Sequence, residues 1–372
     1  MKNVLFVHSS SELYGSDKSL LNIVKHIDKE KFKVFVILPC EGPLVKELEK
    51  ISGVNVEKFE IAVLRRKNLS IMGGIKYIRD FYYSYKFLKS YIKDNNINIV
   101  DTNTSVIFPG AIVAKRLGCK SIWHIREIIK SSIENKIISF IMQRYSDLIV
   151  ANSKATGKAL KVNQEKVRVI YNAIEEKNTT EKKNKTETKF TVGMAGRINR
   201  WKGQKLFVDA AEVVHKYYPD VIFKVAGDVY IGEEHLKQEL QEYISNKGLT
   251  NYIKLVGQIN DMNSFYESID VFVLPSIQPE PFGLVIIEAM EHKVPVIATN
   301  HGGPAEIITN GEDGFLVDFN DCNELAKSII KLIEDDSLRE KISENGFKKK
   351  RKLFSVEEMV KAIENVFNEN SK

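Results

Sequence analysis

One pattern runs the length of the chain and constrains its fold more than any other: short unbroken apolar runs separated by stretches with helical periodicity. In the first half the runs fall at Asn3–His8, Val34–Leu38, Val54–Phe59, Ile97–Asp101, Ser121–His124, Leu148–Ala151 and Val167–Ile170. A strand covered on one face alternates apolar with polar residues, whereas an unbroken run needs cover on both faces, as in a parallel sheet with crossover helices. The pattern restarts at Phe190 and continues through Ile222–Ala226, Ile253–Val256, Val271–Leu274, Val294–Ala298 and Phe315–Val317. Between the halves, residues 175–189 read EEKNTTEKKNKTETK and offer nothing apolar to bury. A chain of 372 residues also exceeds what one core usually serves. The expectation is α/β: two doubly wound parallel-sheet domains, 1–174 and 190–354, with a polar linker at 175–189. In the last stretch, 355–372, Val356, Met359, Val360, Ile363, Val366 and Phe367 share one helical face.

Composition narrows the class. Hydrophobic residues make up 43% and charged residues 28%, ordinary values for a soluble globular chain. Cys40, Cys119 and Cys322 are odd in number and lack metal-ligand spacing, which fits buried thiols in a reducing compartment. No apolar run nears the roughly 18 residues of a membrane span. The expected location is the cytoplasm, at most peripheral at the inner face of the cell membrane.

Charge is unevenly divided. Residues 1–172 hold 29 Lys and Arg against 16 Asp and Glu, and the remainder 26 against 33. The excess concentrates at 65–93, where Arg65, Arg66, Lys67, Lys76, Arg79, Lys86, Lys89 and Lys93 face only Asp80. Ile75, Ile78, Tyr82, Tyr85 and Ile92 recur there at helical spacing, giving a basic amphipathic helix with an aromatic fringe. Two readings stay open, docking on an anionic membrane and a solvated helix with an ordinary core face. Nucleic acid is disfavoured, because no binding motif accompanies the charge.

Four stretches carry candidate chemistry. Residues 275–303 read PSIQPEPFGLVIIEAMEHKVPVIATNHGG, a polar loop running into a helix. Glu280 and Glu288 lie at its mouth and in its second turn, and the backbone N–H groups of Phe282, Gly283 and Leu284 offer an anion site. Carboxylates suit hydroxyls and the helix start suits phosphate, so the pair suggests a nucleotide sugar. In GMAGRINRWKGQ, Arg197 and Lys202 follow a strand end, a fork and a point charge able to clamp a diphosphate or to sit solvated on a surface. In HSSSELYGSDKSLL, Gly15 sits in a β-α turn where backbone can approach a ligand, with Ser16 and Asp17 as polar neighbours; a plain turn is the alternative. In SIWHIRE, His124 ends a strand, the edge of an open α/β sheet where ligands bind, although a buried structural histidine looks the same in sequence.

The Glu, seven residues, Glu arrangement inside PEPFGLVIIEAM, followed by PVIATNHGGPAEII, resembles retaining glycosyltransferases of family 4 (group 1), of the bacterial surface-polysaccharide type. The resemblance implies the GT-B fold, two Rossmann-like domains facing a central cleft, with the terminal helix returning to the first. It further implies that Arg197 and Lys202 clamp the donor diphosphate, that Glu288 holds the ribose and Glu280 the donor sugar, and that His124 touches that sugar near the reacting carbon. Many members carry Gly-Gly where this chain has Tyr14-Gly15, so Gly15 is the position carried over. Arg126 and Glu127 are lesser candidates for the acceptor side. Asp228, Gly257, Gln258 and Ile259 would border the base, and Asn152, Ser153 and Asn172 would hold loops. No D-x-D occurs, so no metal or cofactor is expected. The implied reaction is retaining transfer from a UDP- or GDP-sugar to a polyprenyl-diphosphate-linked glycan in capsule, exopolysaccharide or O-antigen synthesis. Rival readings are a transferase with a soluble acceptor, a nucleotide-sugar epimerase, and a non-catalytic sugar-nucleotide-binding partner.

Overall fold

The computed structural model describes residues 1–64, 68, 70–129, 131–177, 189–259 and 261–369. Arg65, Arg66 and Lys67 of the basic stretch, and most of the polar segment 175–189, lie outside them. The chain divides into two compact units, 1–175 with 356–372, and 176–355.

In the first unit the strands are β1 (Lys2–Val7), β2 (Phe32–Leu38), β3 (Val54–Lys58), β4 (Ile99–Thr102), β5 (Lys120–Ile125), β6 (Leu148–Ala151) and β7 (Val167–Val169). They form one sheet in the order β3-β2-β1-β4-β5-β6-β7, every pairing parallel. Their unbroken apolar runs are explained by cover on both faces. Val4, Phe6, Val34 and Val36 point into one core with helices α1 (Gly15–His26) and α2 (Pro43–Glu49), whereas Leu5, Val7, Phe35 and Ile37 point into the opposite one. That opposite face is covered by α3 (Ile71–Asp94), α4 (Pro109–Leu117) and α5 (Ser132–Tyr145). A short helix, α6 (Lys154–Ala159), follows β6.

The second unit repeats the scheme with β8 (Thr191–Ala195), β9 (Ile222–Ala226), β10 (Ile253–Gly257), β11 (Val271–Leu274), β12 (Val296–Thr299) and β13 (Phe315–Val317), all parallel, in the order β10-β9-β8-β11-β12-β13. Its helices are α7 (Gln204–Tyr217), α8 (Glu234–Asn246), α9 (Met262–Glu267), α10 (Leu284–Glu291), α11 (Pro304–Ile307), α12 (Cys322–Glu334) and α13 (Asp336–Leu353). The chain then returns to the first unit as α14 (Val356–Asn368), which sets Phe367 against Phe6 and Phe32 at ring separations of 6.0 and 5.7 Å.

Each sheet therefore has a point where the winding reverses: β1 beside β4 in the first, β8 beside β11 in the second. Loops leaving adjacent strands there diverge to opposite faces and leave a crevice at the carboxyl ends. Three of the four stretches singled out in the sequence follow β1, β8 and β11, and the fourth, with His124, lies at the end of β5, next to β4.

At α3 the apolar stripe read from periodicity divides between two faces. Ile75, Ile78 and Tyr82 do not form the core face; they are exposed, whereas Ser84, Leu88 and Ile92 are buried, and Tyr77, Phe81, Tyr85 and Tyr91 half-buried against the domain. The helix carries two apolar stripes, and the one richer in aromatics faces inward.

Candidate active site

The second unit brings GMAGRINRWKGQ and PSIQPEPFGL together because they leave β8 and β11, neighbours at the reversal point. Contact between the loops fixes their spacing. Ile277 N–H donates to the Trp201 carbonyl at 2.9 Å, and Gly203, at φ 79°, lies so close to Pro275 that a Cβ would sit 1.7 Å from its carbonyl oxygen. Asn199 Oδ1 accepts from the N–H groups of Trp201 and Lys202 at 3.1 and 2.9 Å, which turns the chain back into α7. The Lys202 stem lies along the Trp201 ring, its Nζ 4.5 Å from the centroid.

At the centre Lys202 Nζ donates to both carboxylate oxygens of Glu280, at 2.9 and 2.7 Å, and Ser276 Oγ donates to Oε2 at 3.0 Å. Both partners are largely buried, so the ammonium is held by a fixed countercharge rather than swinging in solvent. Glu280 is itself anchored through its backbone, its carbonyl accepting from Gly303 N–H at 2.8 Å. Ser276 is braced in turn: its carbonyl accepts from Thr299 Oγ1 at 2.7 Å and meets His301 Nε2 at 2.6 Å. Arg197 lies over the Tyr230 ring, 3.3 Å from its centroid. Phe282 is buried and Gly283 is the N-cap of α10, so the N–H groups of Leu284 and Val285 open this helix beside the Lys202–Glu280 pair, whereas Ile286 N–H donates to the Gly283 carbonyl at 2.9 Å.

Glu288 accepts from Tyr266 Oη at 2.8 Å. Burial and the Glu288 carboxylate push the Tyr266 phenol well above its ordinary value, so it stays a donor and fixes the carboxylate. Asp228 follows β9 and pairs with Lys237 at 2.9 Å, which holds its carboxyl below the usual range. Gly257 ends β10, its carbonyl accepting from Gly227 N–H at 2.7 Å; Gln258 is exposed and Ile259 half-buried beyond it.

In the first unit the strand ends carry a buried polar cluster. His124 in β5 lies with Nδ1 3.7 Å from Asp101 Oδ2 on β4. Burial first, then Arg126, drives its pKa down to about 4. Arg126 is buried too, its guanidinium donating to Ser19 Oγ at 3.2 Å, and burial lowers its pKa to about 10. Both Asp101 oxygens, the Asn103 amide and Arg126 Nε and Nη1 are buried without a hydrogen-bond partner among the described residues. Buried polar atoms are seldom left so, and a polar ligand at the strand ends would satisfy them. Glu127 accepts from Thr104 Oγ1 at 3.1 Å.

Asp17 does not stand beside Gly15 as a ligand-facing neighbour. It is fully buried, 2.7 Å from His8 Nε2, and accepts the Tyr14 N–H at 2.9 Å, so it fastens the start of α1 to the end of β1. Gly15 is exposed and Ser16 half-buried at that start. Asn152 and Asn172 are buried, Asn172 accepting from Ser19 Oγ at 3.2 Å, and Ser153 caps α6 by accepting the Thr156 N–H at 2.9 Å.

Sequence reading missed Asp101, Ser276, Tyr230 and Tyr266. Asp101 had a signal, since it closes an apolar run at the reversal point; the two tyrosines had none, because their partners are distant in sequence. Among the described residues no group of three or more His, Cys, Asp or Glu is placed to hold a metal, and no helix is long and apolar enough to cross a membrane.

Two doubly wound parallel-sheet domains, the second with a Lys–Glu pair and a helix start at its reversal point, define a glycosyltransferase of the GT-B fold. The chain belongs to glycosyltransferase family 4: residues 14–178 match the Glycosyltransferase Family 4 model and residues 175–349 that of Glycosyl transferases group 1. It is similar to the capsular polysaccharide biosynthesis glycosyltransferase CapM of Staphylococcus aureus, 31% identical over 64% of this chain and 60% of the relative. It is similar also to the UDP-Gal:alpha-D-GlcNAc-diphosphoundecaprenol alpha-1,3-galactosyltransferase of Escherichia coli, 26% identical over 95% of this chain and 94% of that one. Among solved structures, Anabaena HepE in complex with UDP and glucose superposes with a TM-score of 0.83, at 25% identity and full coverage of both chains.

Proposed function

We propose that this glycosyltransferase moves a sugar from a UDP- or GDP-sugar to a polyprenyl-diphosphate-linked glycan, with retention of anomeric configuration, in the assembly of a bacterial surface polysaccharide. The observation that carries the reading is the buried Lys202–Glu280–Ser276 arrangement beside the start of α10. Support for the donor comes from Anabaena HepE, crystallised with UDP and with UDP-glucose. Support for a lipid-linked acceptor comes from the Escherichia coli relative, named for a diphosphoundecaprenol substrate.

In this reading Arg197, Lys202 and the first-turn N–H groups of α10 receive the diphosphate, Glu288 the ribose hydroxyls and Glu280 the hydroxyls of the donor sugar. The buried donors and acceptors around His124, Asp101 and Arg126 take up carbohydrate hydroxyls. As the anomeric C–O bond breaks, its electron pair passes to the leaving phosphate, where the cations and helix start stabilise the growing charge more than they stabilised the ground state. The acceptor oxygen bonds to the anomeric carbon, and its proton passes to the departing phosphate oxygen. No metal takes part in this scheme. Lys202 does two jobs, since Glu280 holds it in place and the phosphate shares it.

The test is binding and slow hydrolysis of UDP-, GDP-, ADP- and dTDP-sugars, with and without EDTA, for the wild type and Lys202→Ala. We expect one donor to be bound and hydrolysed with EDTA present, and the variant to lose about 100-fold, equivalent to about 2.7 kcal/mol. Binding of none of them, or loss of activity with EDTA alone, would overturn the assignment.

A further inference from the structure

Helices α3 and α5 of the first unit each leave an apolar stripe uncovered. On α3 the stripe is Ile75, Ile78 and Tyr82; on α5 it is Ile133, Ile137 and Phe140, and these six side chains are 52 to 72% exposed. The spacing places each set along one line of its helix. Ile71, 85% exposed, extends the first line by a further turn. Exposed single apolar residues are ordinary, but two aligned stripes on one domain are not.

The two helices share an orientation. Both are crossovers between parallel strands, and both cover the same face of the sheet, as their rooting in one buried cluster shows: Tyr77 and Phe81 of α3 meet it with Ile138 and Met142 of α5. A crossover helix runs opposite to its strands, so both begin at the end of the domain where the strand carboxyl ends lie. The apolar part of each stripe occupies that beginning. Farther along the same lines the residue type changes, to Lys86, Lys89 and Lys93 on α3 and Arg144 on α5, all exposed. Lys76, Arg79 and Lys136 flank the apolar parts; the opposing carboxylates on the two helices are Asp80, Asp94 and Glu134. An apolar leading zone followed by a cationic zone matches the layering of a bilayer whose surface is anionic.

From this we infer that the outer face of α3 and α5 docks on an anionic lipid bilayer, Ile75, Ile78, Tyr82, Ile133, Ile137 and Phe140 entering the acyl boundary and the trailing lysines and Arg144 meeting headgroup phosphates. The inference deepens the lipid-linked acceptor reading and rests on it for its biological sense: the domain end that dips is the one carrying His124 and Arg126. It also goes beyond the basic character of α3, because α5 is a second, independent foot.

The experiment is flotation of the full chain with vesicles of phosphatidylcholine alone or mixed with phosphatidylglycerol, for the wild type, Ile133→Ser/Ile137→Ser/Phe140→Ser, and Lys86→Gln/Lys89→Gln/Lys93→Gln. All changes fall on exposed positions, and an unchanged circular dichroism spectrum together with unchanged calorimetric transitions reports that each variant is folded. The wild type should float with the mixed vesicles, the triple-serine variant at least about tenfold less. The glutamine variant should lose the preference for anionic lipid, and the wild type should keep part of its binding in about 1 M salt, where the Debye length is about 3 Å. A blue shift of Ile137→Trp fluorescence on adding mixed vesicles would place α5 in the lipid. Equal flotation of the triple-serine variant and the wild type would overturn the role of α5. A wild type that does not float, but forms a dimer that the triple-serine variant abolishes, would assign the face to a second copy of the chain. Flotation without binding of any nucleotide sugar would sink the proposed donor and leave the docking face standing.

Discussion

His124 is neutral throughout the neutral range because a charged imidazole would be buried beside the Arg126 guanidinium, and Asp101, 3.7 Å away, compensates only in part. The consequence for stability has a definite sign. With a folded pKa of about 4 against an ordinary 6.5, the unfolded chain binds more protons between those values. Stability contributed by the neutral imidazole is therefore complete above pH 6.5 and is lost as pH falls toward 4, by roughly 3 kcal/mol in all. Denaturant unfolding followed across that window should show a positive slope of stability against pH that flattens in His124→Gln; an unchanged slope would mean that another group governs it. At this scale the sequence offered residue types and positions but not partnerships. Lys202 and Glu280 were both legible as polar groups aimed at a ligand, yet nothing within 78 positions of chain indicates that each is the other's counterion. Asp17 shows the same limit, since an acid two residues after a turn glycine reads as a ligand until the fold sets His8 against it.

Elements were more legible than contacts. Each apolar run became a strand, thirteen among the described residues, because a run covered on both faces has no polar residue to blur it, and the errors are one or two residues at the ends, where pairing with a neighbour decides the boundary. The divided stripe of α3 has the converse cause. A helix with Ile71, Ile75, Ile78 and Tyr82 along one line and Tyr77, Phe81, Leu88 and Ile92 along another has two faces fit for burial, and periodicity cannot choose between them. Turns show how a neighbouring element sets the cost of a change. Gly203 and Gly248 have nearly the same φ, 79° and 70°, but a Cβ at Gly203 would strike the Pro275 carbonyl, whereas at Gly248 it meets nothing within 4 Å. Gly248→Ala should cost about 1 kcal/mol, the strain of the left-handed backbone alone. Gly203→Ala should cost more than about 3 kcal/mol, because the loops after β8 and β11 must part. It should also weaken nucleotide-sugar binding, whereas Gly248→Ala should not. Chemical denaturation and donor titration of the two variants check this, and equal costs would mean that the loops are not held as the contact implies.

Across the whole molecule, the first domain is discontinuous: it closes only when the chain, having built the second, returns as α14. Val356, Met359, Val360, Ile363, Val366 and Phe367 complete the core that Val4, Phe6, Val34 and Val36 begin. Polar contacts fasten the same helix, Glu364 accepting the Asp28 N–H at 2.8 Å and Lys2 Nζ donating to Asn368 Oδ1 at 2.8 Å. A defect in α14 therefore belongs energetically to residues far away in sequence and not to α13, its immediate neighbour. Phe367→Ala removes a ring buried between Phe6 and Phe32 and should cost roughly 3–5 kcal/mol. Two compact units need not unfold as one, so calorimetry of the variant separates the possibilities. The loss should fall on one transition, the one that responds to changes in α1 and β1, and leave unchanged the transition that a saturating nucleotide sugar raises through the second domain. If both transitions move together, the two units unfold cooperatively and α14 is part of the coupling. If only the ligand-raised transition moves, the return of the chain to the first domain is not what stabilises it.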